Sequence, residues 1–382
     1  MRFVSAVIPL ILLAPQVWPQ QIRSAGDTPA WKRTLPKANT VLALPGMAAR
    51  GGVVYVAYRS FDLLRFSDQL QVLAVDLSSG KELQHTTISV PRVHGARASE
   101  GFYLSDDGQT LAYVELHDPG LILLLATKDL KEMRRSTVLP FEAKDRRRLF
   151  AGFDENGQLS FASTRVDELR FVRMSPVDLK VSTDQTAPGI TQQMPEQVVW
   201  LPAIKRTWTN TVSTRGDQWR EYTESGAATG EQTEYRRTIS NGAVVLGTGQ
   251  LLMFSGNMIA KGTVLSYNNH RTGELNLDCV PRPYGVSGVP GYAGAICTTQ
   301  RDVLPEAGGD KIVTSEFLLL KTDGPTVAWR HRMNFLAVAD GNEADSGFQR
   351  GNPLLYRVGS KLLILAPTKK PELAVYEVAL PQ

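Results

Sequence analysis

The sequence predicts an all-β chain closed into a single seven-bladed β-propeller, and three observations carry that expectation. Short apolar segments split by polar turns recur at a step of about 48 residues, within the roughly 40–50 residues that a four-stranded blade occupies. Tight-turn dipeptides fall at matching places inside the repeats. The last strand, Glu372 to Leu380, has no partner strand after it, so one blade must borrow a strand from elsewhere.

Six segments set the period: Gln71 to Gly80, Leu121 to Lys128, Leu169 to Pro176, Gln218 to Ser225, Thr263 to His270 and Glu316 to Asp323. Each reads as strand, tight turn, strand, with turns centred near Ser79, Lys128, Pro176, Ser225, Arg271 and Asp323. The upstream half of each unit agrees. Phe102 to Val114 reads as a hairpin around Asp107-Gly108, and Phe153 to Phe161 as one around Asn156-Gly157. Such pairs tolerate the positive φ that tight hairpins require. Thr248-Gly249 and Gly359-Ser360 fit the same place. Trp31 to Leu35 is the natural missing outer strand of blade 7. Pairing the two chain ends closes the ring and removes an exposed sheet edge. Every blade is expected to be a four-stranded antiparallel sheet. No long helical period follows residue 20. Trp200, Trp208, Trp219 and Trp329 fall on strands and are expected to pack between blades.

The segments Leu104 to Tyr113 and Phe161 to Phe171 resemble the WD-like propeller repeats of the TolB type. In that family a Ser-x-Asp-Gly turn opens the second strand, and a Ser-x-Arg-Asp-Gly stretch follows it, before an aromatic third strand. The period covers about residues 30 to 382, with the motif clearest in blades 2 and 3. The resemblance implies the fold and an export-side location. It implies no activity, because propellers host many unrelated ones.

Composition sets the outer bounds. The 382 residues are 42% hydrophobic and 21% charged, which excludes a largely disordered chain. Two cysteines exclude a disulfide-dense scaffold. The net charge of +4 is weak, and no nucleic-acid-binding signature accompanies it. Met1-Arg2 and the apolar run Phe3 to Ala14 read as a secretory signal peptide. The run is too short to span a bilayer. Pro9 interrupts it, and the small residues Ser24-Ala25-Gly26 follow. We therefore divide the chain into a signal peptide and short leader, residues 1–26, and a propeller, residues 27–382. The expected location is secreted or periplasmic, and the expected state a monomer without a membrane span.

One polar feature recurs. Near the end of several second strands an Arg is followed closely by an Asp: Arg59 with Asp62, Arg165 with Asp167, Arg215 with Asp217, Arg301 with Asp302. Blade 2 has His117-Asp118 there, and His94 lies in a nearby inter-blade connection. Second-to-third-strand turns and inter-blade connections share one face of a propeller. That face also receives Arg92, Arg97, Lys144, Arg146, Arg147, Arg148, Arg282 and Arg350. Two readings stand open. The face binds a protein or an anionic ligand, using the bidentate affinity of Arg for carboxylate and phosphate. Alternatively, each Arg pairs with an Asp of its own or the next blade and fixes a loop. The acidic stretch Asp340 to Asp345 overhangs the same face; it reads as a lid, a cation site or, the favoured reading, a lock onto neighbouring arginines.

Catalytic patterns are missing from the sequence. The five histidines, His85, His94, His117, His270 and His331, show no metal-ligand spacing. There is no Gly-x-Ser-x-Gly elbow, phosphate loop or His-Glu-x-x-His. Asp106-Asp107-Gly108 lacks the ligand spacing of a calcium loop. No cofactor or metal is expected. The alternative is a lactonase-like hydrolase or a quinoprotein-like dehydrogenase. Either would need acids converging on the central channel, which only Asp62, Asp167, Asp217 and Asp302 could supply. Cys279 and Cys297 bracket what reads as the connection between blades 5 and 6, rich in Pro and Gly. They are either a disulfide or two buried thiols.

Overall fold

Side-chain alternation with a period of two turns the repeats into strands. The computed structural model describes residues 29–36, 46–92, 101–116, 120–142, 144–145, 147–165, 168–188, 197–202, 205–213, 216–236, 239–247, 250–256, 262–268, 271–289, 291–301, 312–322, 324–332, 354–367 and 372–379. The leader and the acidic stretch Asp340 to Asp345 lie outside them. Among the described residues there is no α-helix.

The strands form seven four-stranded antiparallel sheets. β1 (Trp31–Thr34) precedes the first blade. Blade 1 is β2 (Gly46–Arg50), β3 (Val53–Asp62), β4 (Ser67–Asp76) and β5 (Glu82–Ser89). Blade 2 is β6 (Gly101–Leu104), β7 (Thr110–Glu115), β8 (Leu121–Ala126) and β9 (Glu132–Ser136). Blade 3 is β10 (Arg147–Phe153), β11 (Leu159–Arg165), β12 (Glu168–Met174) and β13 (Val181–Pro188). Blade 4 is β14 (Gln197–Leu201), β15 (Arg206–Ser213), β16 (Gly216–Thr223) and β17 (Ala228–Arg236). Blade 5 is β18 (Ile239–Gly247), β19 (Gln250–Gly256), β20 (Gly262–Asn268) and β21 (Arg271–Leu277). Blade 6 is β22 (Val280–Val289), β23 (Tyr292–Arg301), β24 (Ile312–Lys321) and β25 (Thr326–Arg332). Blade 7 is β26 (Leu354–Val358), β27 (Lys361–Pro367) and β28 (Glu372–Ala379), with β1 as its outer strand.

The turns explain why these strands stop where they do. In blade 2 the Ser105 hydroxyl donates to Asp107 Oδ1 at 2.6 Å and accepts from the Thr110 amide at 2.9 Å. Asp107 also accepts from the Gln109 amide, and Gly108 holds φ at +75°. The carboxylate that could have suggested calcium is thus spent inside its own turn. Asp154 does the same in blade 3, accepting from the amides of Asn156 and Gln158 at 2.9 Å. The Ser-x-Asp-Gly resemblance holds at the level of the fold.

The N-terminal strand is the ring's latch. β1 pairs with β28 in the register Trp31–Val375 through Thr34–Glu372. It then reaches across to blade 1. The Trp31 indole N–H donates to the Leu77 carbonyl at 2.9 Å, Arg33 pairs with Glu82, and Arg33 also donates to the Gly80 carbonyl. The indole lies over Gly80, where a Cβ would sit 2.7 Å from Trp31 Cδ2. Gly80 is doubly required, since its φ is +71°.

Seven apolar clusters fill the seven gaps between blades. The gap between blades 1 and 2 holds Ala57, Leu70 and Val72 against Leu111, Tyr113 and Leu123. Between blades 7 and 1 lie Leu363, Leu365 and Val375 against Val54, Val56 and Tyr58. Trp200 packs between blades 3 and 4, Trp208 and Trp219 between blades 4 and 5, and Trp329 between blades 6 and 7. The tryptophans are inter-blade packing, as expected.

Residues 280–289 are the inner strand of blade 6, not a loop between blades. Cys279 and Cys297 form a disulfide with their Cα atoms 5.5 Å apart. Cys279 precedes β22 and Cys297 lies on β23, opposite Pro281. The bond therefore staples a hairpin at the gap between blades 5 and 6. The strand was hidden by Pro281, Pro283, Gly285 and Gly288. An inner strand has one edge free of sheet partners, so it tolerates the missing N–H of proline.

Candidate functional site

Strand alternation carries Arg59 on β3 into the gap between blades 1 and 2, beside Ala57. There it is 2% exposed. Its Nε donates to Glu115 Oε1 at 2.6 Å and its Nη2 to Glu115 Oε2 at 2.5 Å, a bidentate fork across the blades. Nη1 donates to Asp68 Oδ2 at 2.8 Å and to the Pro91 carbonyl at 3.0 Å. The Tyr113 hydroxyl donates to Glu115 Oε1 at 2.5 Å. Burial opposes the Arg59 charge, but Glu115, with Tyr113 and Asp68, holds its pKa above the ordinary value. Burial also pushes the Tyr113 hydroxyl well above its usual pKa, and the adjacent carboxylate adds to the shift. This arginine joins strand 2 of blade 1, strand 2 of blade 2 and the connection at Pro91. Asp62, its sequence neighbour, accepts from the amides of Leu64 and Arg65 and from the Gln69 side chain.

Arg165 ends β11 on the same face. Its Nε donates to Asp145 Oδ1 at 2.6 Å and its Nη2 to Glu142 Oε1 at 3.2 Å. Asp145 is buried and also accepts from the Glu142 amide. Arg170 lies 3.7 Å from the second Asp145 oxygen and forks onto Asp184 at 2.7 and 2.5 Å. Arg148 donates to the carbonyls of Leu116 and Glu142, tying the loop back to blade 2. Arg59, Arg148, Arg165 and Arg170 are therefore committed to neighbouring carboxylates and carbonyls.

The opposite face has its own clamp, which the sequence reading missed. Arg173 bridges Asp154 at 3.1 Å and Glu224 of the next blade at 2.7 Å, with its guanidinium 5.3 Å from the Trp200 ring centre. The Trp200 indole N–H donates to the same Glu224 oxygen at 3.0 Å.

The remaining candidates divide by position. His94, His117, Asp167, Arg215 and Asp302 lie outside the described residues. The backbone places Asp217 in β16 opposite Val212, and Arg301 at the end of β23 opposite Ile312. Glu115, Asp68 and Asp145 were not singled out from the sequence. A signal existed for Glu115: it follows Leu111 and Tyr113 on one face of a strand, and an acid in an apolar stripe must be paired.

The chemistry available is limited. Among the described residues, the buried hydroxyls of Ser160, Ser163, Thr164, Thr207 and Thr209 have no hydrogen-bond partner. A nucleophilic hydroxyl needs a base within hydrogen-bond reach, and none of the described residues supplies one to these. Among the described residues no group of three His, Cys, Asp or Glu side chains is placed to hold a metal. No described helix is long and apolar enough to cross a membrane.

Beside exposed charges such as Lys144 and Glu142, the described face turns an apolar group outward. The β3–β4 turn exposes Leu63 at 65%, Leu64 at 94% and Phe66 at 71%. Arg65 is exposed between them, and exposed Arg92 lies beside the turn, 5.7 Å from the Phe61 ring centre.

No family model matches the chain, and no curated protein matches its sequence. Solved structures do match in shape. U3-55K aligns over 92% of this chain and all of its own, at 10% identity and a TM-score of 0.53. Acylaminoacyl peptidase from Pyrococcus horikoshii, uncomplexed, aligns over 91% of this chain at 10% identity and a TM-score of 0.50. This chain spans about half of the peptidase, 53%. The β-propeller domain of the Trilobed protease from Pyrococcus furiosus aligns over 89% of this chain and 96% of its own, at 10% identity and a TM-score of 0.45. The matches concern the fold alone.

Proposed function

We propose that the protein is a non-enzymatic, exported propeller. In this reading it engages its partner through the face formed by the second-to-third-strand turns and inter-blade connections. The observation that carries the reading is the division of labour on that face. Arg59, Arg165 and Arg170 are spent on Glu115, Asp68, Asp145, Glu142 and Asp184, which stiffens the ring. Leu63, Leu64 and Phe66 are left projecting into solvent. Exposed apolar side chains grouped on one rigid turn are a mark of an interaction surface. Export is read from the apolar run Phe3 to Ala14 behind Met1-Arg2. The propeller-enzyme alternative needs acids in the channel. Of its four candidates, Asp62 caps its own turn, which weighs against that alternative.

A photo-crosslinking residue placed at Leu64, and separately at Glu155 on the opposite face, tests the reading in living cells. A discrete adduct from position 64 and none from position 155 is the expected result. Equal labelling from both positions, or none from either, contradicts it.

A further inference from the structure

We propose that the β3–β4 turn of blade 1 is a docking tip for a bilayer surface rich in anionic lipid. The proposal rests on the face assigned above and names its partner.

The turn is built to keep apolar side chains in water. Asp62 Oδ1 accepts from the amides of Leu64 at 3.0 Å and Arg65 at 3.1 Å, and Asp62 Oδ2 accepts from Gln69 Nε2 at 2.8 Å. Phe66 sits at φ +49°, a region that a bulky side chain enters at a cost. Phe61 meets Phe66 edge-on, with ring centres 6.3 Å apart. A turn that served only to join two strands would do so with Gly, Asn or Asp. Here it is held rigid and presents Leu63, Leu64 and Phe66 together, Leu64 being 94% exposed.

Charge and shape select the occupant. Arg65 and Arg92 flank the apolar tip, and among the described residues neither has a carboxylate partner. Deeper in the same face, Arg59 and Arg165 are neutralised by neighbouring acids. Two exposed cations therefore stand at the height of the apolar knob, with the Asp62 carboxylate at its foot. Apolar insertion joined to basic residues is the pairing that holds a protein on an anionic membrane. A stable protein interface buries roughly 800 Å² on each side. One convex turn supplies far less, whereas lipid closes around a convex tip of any shape.

The test is co-sedimentation of the full chain with vesicles of phosphatidylcholine alone and of phosphatidylcholine with about 30% phosphatidylglycerol. Wild-type protein is expected to sediment with the anionic vesicles at least about tenfold more than with the neutral ones. The L63S/L64S/F66S variant and the R65E/R92E variant should each lose about tenfold or more of that binding. All these substitutions are at exposed positions, and circular-dichroism melting verifies the folded state. Wild-type protein that stays in the supernatant with anionic vesicles overturns the proposal. So does unchanged binding by the folded triple variant. A protein adduct at position 64 without vesicle binding overturns the lipid assignment and leaves the face intact. Loss of both overturns the face as well.

Discussion

Arg59 shows how one residue passes from a motif to a mechanical part. Its side chain is 2% exposed and forks onto Glu115 of the next blade. Removing it would leave the Glu115 and Asp68 carboxylates buried without their cation. Arg59→Met should therefore cost about 3–5 kcal/mol, read as a lower midpoint in urea unfolding. Arg65→Met, at an exposed position, should change the midpoint by less than about 0.5 kcal/mol. Acid should also loosen the ring. Hydrogen bonds from Lys144, and then the Arg165 charge, hold Glu142 below its ordinary pKa. The Arg170 fork does the same for Asp184, and Arg330 for Asp278. The Ser78 and Ser79 hydroxyls lower Asp76 to about 2. A carboxylate with a lower pKa in the folded state adds stability above its unfolded pKa. That contribution disappears as pH falls through the folded value. Urea midpoints should hold from pH 7 to about 5 and fall steadily below about pH 4.5; a rising midpoint in acid would contradict these pairings. The sequence pointed to Arg59 and Arg165 because an Arg closely followed by an Asp recurs near the ends of the second strands. Their partners were less visible: Asp145 stands 20 residues before Arg165 and Glu115 stands 56 after Arg59. Such separations are closed by the blade register, which no local pattern states.

Among the elements, β1 and β22 behave oppositely as signals. β1 was legible because the strand from Glu372 needed a partner and Trp31 to Leu35 was the natural segment to supply one. β22 was not, because proline and glycine erase the strand signature where a free edge permits them. Each element carries a prediction. Gly80→Ala should destabilise by about 1–2 kcal/mol, since its Cβ meets the Trp31 ring at a positive φ. In a Trp31→Ala background the same change should cost clearly less, a coupling readable in a double-mutant cycle of thermal or urea unfolding. Additive costs would mean that β1 does not rest on blade 1. Replacing Cys279 and Cys297 together by Ser should lower stability by about 3 kcal/mol, from the entropy released in an 18-residue loop. The reduced wild-type protein should match that variant in the same unfolding assay.

At the scale of the whole molecule, the 48-residue period gave the blade number because each blade is one unit of the same length. It could not say which face works, since that depends on which side chains the ring consumes internally. Seven apolar gaps hold the blades, and Arg clamps lock the rims on both faces. Among the described residues the β3–β4 turn groups three exposed apolar side chains, whereas Val138 and Val177 stand exposed singly on the two faces. Hydrogen–deuterium exchange of the chain, with and without extract of its native compartment, tests this most directly. The account predicts new protection confined to residues 61–67 and the neighbouring segment at Pro91 and Arg92, with the turns at 105–109 and 154–158 unchanged. Protection centred on those opposite-face turns, or none anywhere, would contradict it.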